Sequence, residues 1–207
     1  MINGINSREM ILEILLEIEE GEHSHVAIRN ALSKYQFLPK QDRAFITRVC
    51  EGTLEYRIQI DYIINSFSKV TVDKMKPAIR EILRSAVYQL KYMDSVPDSA
   101  VCNEAVKLAQ RKGFYNLKPF VNGVLRTIAR EMDQVRFPQK EDDLLKYLSV
   151  KYSMPEVLVT RWLEAYGEET TEKILADFLT EHPLTIRCRT YLNSKEEVIK
   201  SLESQGV

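Results

Sequence analysis

Arg80, Arg84, Tyr88 and Lys91 stand at positions i, i+4, i+8 and i+11, a spacing that gathers three cations and one aromatic ring on a single flank of a helix. Such a flank can follow a phosphate backbone. Lys107 and Arg111, then Lys118, Arg126 and Arg130, add positive charge on the two segments that follow. Cationic contacts to phosphate give affinity and salt dependence without sequence choice, whereas unpaired nucleotides are read by stacking and by hydrogen bonds to base edges. Tyr88, Tyr92, Tyr115 and Asn116 are the candidates for that second task.

The charge distribution points the same way. The net charge is −1, yet residues 69–130 hold twelve Lys or Arg against five Asp or Glu, while residues 9–22 hold six acids and no base. The positive character therefore belongs to the middle of the chain, where it favours a polyanionic partner. The acidic stretch at 8–20 offers a weaker alternative, a helical protein-interaction module.

Helices must position these residues. Ser7 can cap a helix carrying Met10, Ile11, Ile14, Leu15 and Ile18 in register, and Ser24 can cap a second running to about Tyr35. From Gln41 a longer helical stretch runs through Phe45, Ile46, Val49 and Leu54 to Ile58, Tyr62 and Ile63, with Gly52 allowing a bend or a close approach. Pro77 suits a first helical position, and the helix after it has the cleanest apolar stripe, Ile79, Ile82, Leu83, Ala86, Val87, Leu90 and Met93. Two more amphipathic helices follow on either side of Gly113. The second of these contains Gly123, whose cost of roughly 1 kcal/mol against alanine predicts a close packing contact there.

Beyond Met132 periodicity is lost around Pro138, which marks a linker or boundary. Helices are expected at Asp143–Tyr152, Pro155–Tyr166 and Thr170 to about Glu181. Thr185 to Leu192 then alternates as a strand does, before a short helix from Ser194 to Leu202. The expected organisation is residues 1–133 as an RNA-binding helical bundle, 134–183 as a helical linker, and 184–207 as the first strand-helix unit of an α/β domain. The fold class is all-α apart from that unit.

The composition is that of a water-soluble cytoplasmic protein: 44% of residues are hydrophobic and 29% charged, no run is long enough to cross a membrane, and no targeting peptide is visible. Cys50, Cys102 and Cys188 are odd in number and far apart, which argues against a disulfide framework.

The string Pro97 … Asn103-Glu104-Ala105-Val106 … Leu108-Ala109 … Gly113 … Phe120-Val121-Asn122-Gly123-Val124-Leu125 resembles the closing helices of the NusB antitermination family. That resemblance implies a NusB-like bundle and places Phe120 near the RNA-contacting region. Of the N-terminal arginine cluster this family uses on RNA, Arg8 alone is present. The later order Met154-Pro155, Leu158-Val159, Arg161-Trp162, Tyr166-Gly167, Pro183 and Arg187 resembles the segment joining a NusB-like domain to the catalytic domain of bacterial cytosine-C5 methyltransferases that act on small-subunit ribosomal RNA. The combination implies small-subunit ribosomal RNA as partner, with a homodimer or contact with the enzyme's own catalytic domain left open. It implies S-adenosylmethionine for the complete enzyme.

This chain alone is expected to be catalytically silent and without a cofactor. A methyl donor needs a glycine-rich turn, and the seven glycines are each separated by ten residues or more. The ring-attacking cysteines of that enzyme family lie in Pro-Cys and Thr-Cys dipeptides; here Val49, Val101 and Arg187 precede the cysteines. No metal-ligand spacing is present. A free-standing antitermination factor that binds leader RNA with a ribosomal protein is the alternative, and the tail from Asp143 to Val207 separates the two.

Overall fold

The computed structural model describes residues 6–180, 185–189 and 191–205. Its α-helices are α1 Ser7–Glu19, α2 Ser24–Lys34, α3 Lys40–Glu55, α4 Arg57–Phe67, α5 Pro77–Tyr92, α6 Asp98–Arg111, α7 Lys118–Glu131, α8 Leu144–Lys151, α9 Glu156–Phe178 and α10 Lys195–Ser204. Local chemistry sets their ends. Asn6, one residue ahead of the expected Ser7, caps α1 by accepting the Arg8 N–H at 2.9 Å, Pro77 opens α5, and the stretch expected from Gln41 breaks in two at Tyr56.

α5 is the axis around which the others pack. It touches α1, α3, α4, α6 and α7, and every residue from Glu81 to Gln89 on it is buried. The main core runs from Met10 on α1 to Ile128 on α7, with Leu12, Ile63, Leu83 and Leu125 fully enclosed. Gly123 does not serve this core. A Cβ added there meets nothing within 4 Å, so the close contact expected from its helical position is absent.

A smaller core of Leu148, Val159 and Leu175 joins α8 and α9, edged by Trp162 stacked on Phe178 at 5.7 Å. It is tied to the bundle through α4. The Gln59 amide donates to the Val150 and Lys151 carbonyls at 3.1 and 3.2 Å, and the Ile58 N–H donates to the Ser153 hydroxyl at 3.0 Å. The loop expected as a linker is itself held down: Tyr62 donates to the Arg136 carbonyl, Phe137 stacks on Tyr62, and Lys140 bridges Glu168 and Glu172 at 2.7 and 2.9 Å.

The helices expected on either side of Gly167 both form and meet at a kink in that residue, with φ +75° and ψ 172°. This is backbone that side-chain-bearing residues avoid. We expect Gly167→Ala to destabilise the α8–α9 unit by about 1–3 kcal/mol, read as a lower thermal midpoint. An unchanged midpoint would mean that the kink relaxes without strain.

The expected strand does not form among the described residues. Thr185–Arg189 has no ladder partner, and an isolated extended segment cannot satisfy its backbone groups by pairing. Pro183 and Thr190, parts of that expectation, lie outside the described residues. α10 does form, opened by a capping box in which Ser194 and Glu197 satisfy each other's backbone N–H groups.

Candidate nucleic-acid interface

The sequence stripe on α5 is largely covered: Arg84 and Tyr88 are buried, and Arg80 and Lys91 are only partly exposed. Arg84 is buried and forms a two-pronged contact with Asp61 of α4, Nε to Oδ1 at 2.7 Å and Nη2 to Oδ2 at 2.6 Å, while Nη1 reaches Glu81 at 2.5 Å. Arg80 pairs with Glu19 at the end of α1 and donates to the Val72 carbonyl at 3.2 Å. Burial pulls the Arg84 guanidinium down, yet the hydrogen bonds and charges of Asp61 and Glu81 hold it above its ordinary value; burial in turn pushes the Glu81 carboxyl up, against the pull of Arg84.

Tyr88 is also buried, its ring lying over Gly52. Lys91 is half-buried between the Tyr92 and Phe137 rings, and burial lowers its pKa. The physical reason is the position of α5: a helix packed against five others keeps little outer flank, so its buried charged residues find partners inside. The acids of α1 and the i,i+3 pair Glu81–Arg84 were the available sequence signal, and a reading by stripe alone passes over them.

The remaining cations lie elsewhere. On α6, Ser99, Asn103, Lys107 and Arg111 form one exposed stripe, and on α7 Pro119, Gly123, Arg126 and Arg130 form another. Arg126 joins them by donating to Asn122 on its own helix at 2.8 Å and to Asn103 on α6 at 3.3 Å. Lys107 is bridged to Glu104 at 2.7 Å, Arg130 to Glu131 at 2.6 Å, and Arg111 lies 4.0 Å from Glu9, all at exposed positions where such pairs exchange readily with other anions. Lys118, at the start of α7, is half-buried, and the adjoining turn leaves Tyr115 and Asn116 exposed. Phe120 is half-buried and packed on the main core, and Arg8 lies over the Phe45 ring at 5.3 Å.

The described residues hold no glycine-rich turn that would grip S-adenosylmethionine. The left-handed glycines Gly21, Gly113 and Gly167 stand singly where helices end or kink, so they form no turn of that kind. No group of three metal-ligating side chains occurs among the described residues, and no described helix is long and apolar enough to cross a membrane.

A helical bundle of this kind, closed by a basic helix pair, defines the class. The NusB family model matches residues 5–130, and the chain belongs to the NusB family. A second model, the ferredoxin-like domain of RsmF/B-like methyltransferases, matches residues 154–207, beginning inside the segment expected as a linker. Among curated proteins the chain is similar to a probable ribosomal RNA small subunit methyltransferase B of Bacillus subtilis, 32% identical over 97% of this chain and 44% of that protein, and to its Synechocystis counterpart, 31% identical over 96% and 44%. It is 33% identical to the transcription antitermination protein NusB of Dictyoglomus thermophilum over 62% of this chain and 85% of that one. The chain thus spans less than half the length of the methyltransferases it matches. Among solved structures, PH0851 aligns with 99% of this chain and 46% of its own (TM-score 0.68, 23% identity), and a chain from the complex of antitermination factors NusB and NusE with dsRNA aligns with 60% and 93% (TM-score 0.55, 21% identity).

Proposed function

We propose that this chain is the RNA-binding region of a small-subunit ribosomal RNA cytosine-C5 methyltransferase and positions RNA for an S-adenosylmethionine-dependent catalytic domain. The observation that supports it is the pair of exposed stripes on α6 and α7, side by side through Arg126 and Asn103, which carry Lys107, Arg111, Arg126 and Arg130. Each helix is 14 residues long, so the stripes run for about 20 Å, enough to follow several phosphates of an unpaired strand. Open backbone at Gly123 lets a strand lie close between the cations. Tyr115 and Asn116, with Lys118 beside them, supply an exposed ring and amide for an unstacked base. The match of residues 154–207 to a methyltransferase-associated domain favours this reading over a free-standing antitermination factor.

Single-strand phosphate contacts contribute a salt slope of about 0.7 each, so Arg126→Ala and Lys107→Ala are each expected to lower affinity for a small-subunit ribosomal RNA fragment and to reduce the slope of log K against log salt by about 0.7. Filter binding across a salt series checks this. Unchanged slopes in both variants would remove the α6–α7 face from the interface.

A further inference from the structure

Away from the basic helix pair, a groove of about 650 Å³ opens between α3, α5 and the end of α9. Its floor is one stripe of α3, in which Thr47, Arg48, Glu51, Gly52 and Glu55 recur at helical spacing. Its wall is aromatic: Tyr56 stacks on Tyr92 at 4.2 Å, and Tyr92 on Tyr88 at 5.3 Å, with the rings inclined by 28° and 29°. Leu179 closes the far side.

Three features define what such a groove attracts. Glu51 and Glu55 are exposed like charges at i,i+4, an arrangement that repels, and no cation is ion-paired with either among the described residues. Burial and then the charge of Glu51 hold the Glu55 carboxyl above its usual range. Arg48 offsets one of the two carboxylates, leaving a net negative charge beside ring faces that are themselves negative. Tyr88, only 5% exposed, lines the groove, and its hydroxyl has no hydrogen-bond partner among the described residues. A phosphate is disfavoured here. An organic cation can be stabilised by the ring faces, by the carboxylates and by the Tyr88 phenol oxygen as acceptor.

We propose that the groove binds the guanidinium or ammonium head of an arginine or lysine side chain presented by a basic protein segment. The apolar stem of such a side chain can run along Tyr56 and Leu179 while its charged head meets Glu51, Glu55 and Tyr88. This surface is separate from the RNA-binding reading and does not depend on it.

Calorimetric titration of the full chain with a capped peptide of alternating glycine and arginine tests the assignment, with spermidine and a short unpaired RNA as parallel arms. Saturable peptide binding is expected, weakened roughly five- to tenfold by Glu55→Gln and by Tyr56→Leu. Arg126→Ala, which is aimed at RNA, should leave it unchanged. Spermidine should bind at least about tenfold more weakly than the peptide. The proposal is overturned by absence of peptide binding up to about 1 mM, or by wild-type peptide affinity in both groove variants. Spermidine affinity equal to that of the peptide would assign the groove to free polyamines instead. Loss of RNA affinity in Tyr56→Leu without peptide binding would make it a base-stacking site. Glu55 and Tyr56 are not enclosed in the core, so both variants should stay folded, which a far-UV spectrum verifies.

Discussion

Arg84→Ala is expected to destabilise the fold by about 3–5 kcal/mol, because it leaves two carboxylates facing each other without their cation. The guanidinium holds Asp61 of α4 and Glu81 of α5 together, and Glu19 of α1 lies 3.9 Å from it, so one side chain joins three helices. Arg84→Lys keeps the charge but loses the two-pronged fit to Asp61, and about 2 kcal/mol is the expected cost. The pair Arg84→Met with Glu81→Gln should recover most of the loss, since Asp61 keeps some contact with water. Urea unfolding with a constant m-value reads all three.

The pH dependence has a definite sign. Burial already holds Glu81 above the usual carboxylate range, and Arg84 opposes that shift. Without Arg84, folded Glu81 keeps its proton to higher pH than unfolded Glu81 does. The stability of the variant is then greatest below the unfolded pKa and is lost as pH rises through the raised folded one. The deficit relative to wild type should therefore shrink as pH falls from neutral toward the ordinary carboxylate range. A deficit that does not change with pH would mean that Glu81 is hydrated once the arginine is gone. Loss of RNA binding in Arg84→Ala should follow the unfolded fraction and leave the salt slope of the folded protein intact.

Much of the bundle is legible in the sequence because apolar spacing at 3.6 residues reports burial directly. The stripe from Ile79 to Met93 is buried, except that Leu90 is only half covered. What periodicity does not report is the number of neighbours a helix has. The polar residues of α5 look like a solvent face, since Arg80, Arg84 and Lys91 alternate with the apolar set, yet α1 and α4 bring Glu19 and Asp61 to meet two of them. Those partners lie 61 and 23 residues away, beyond any local pattern. Lys107, Arg111, Arg126 and Arg130 do face solvent, because α6 and α7 each keep an open side. Gly52 and Gly123, which lie inside regular helix, divide in the same manner: the first suggests a bend or a close approach and the second a close contact, and only the packing of α3 on α5 supplies one.

Gly52 is that case. A Cβ built there falls 2.1 Å from Cζ and 2.3 Å from the hydroxyl of Tyr88, a ring held from behind by Tyr92 and buried on α5. The ring cannot swing clear without breaking its stack. Alanine would gain about 1 kcal/mol in helix propensity, whereas overpacking costs about 1–3 kcal/mol, so Gly52→Ala should destabilise by about 1 kcal/mol. Gly52→Val, with two further carbons against the same ring, should cost about 3 kcal/mol or more. A double-mutant cycle separates the contact from the background. Tyr88→Ala alone removes a large buried side chain at a cost of about 3–5 kcal/mol, but in that background Gly52→Ala should turn stabilising, as propensity acts without opposition. Destabilisation by Gly52→Ala that persists without the tyrosine would place the constraint in the α3 backbone and not in the ring.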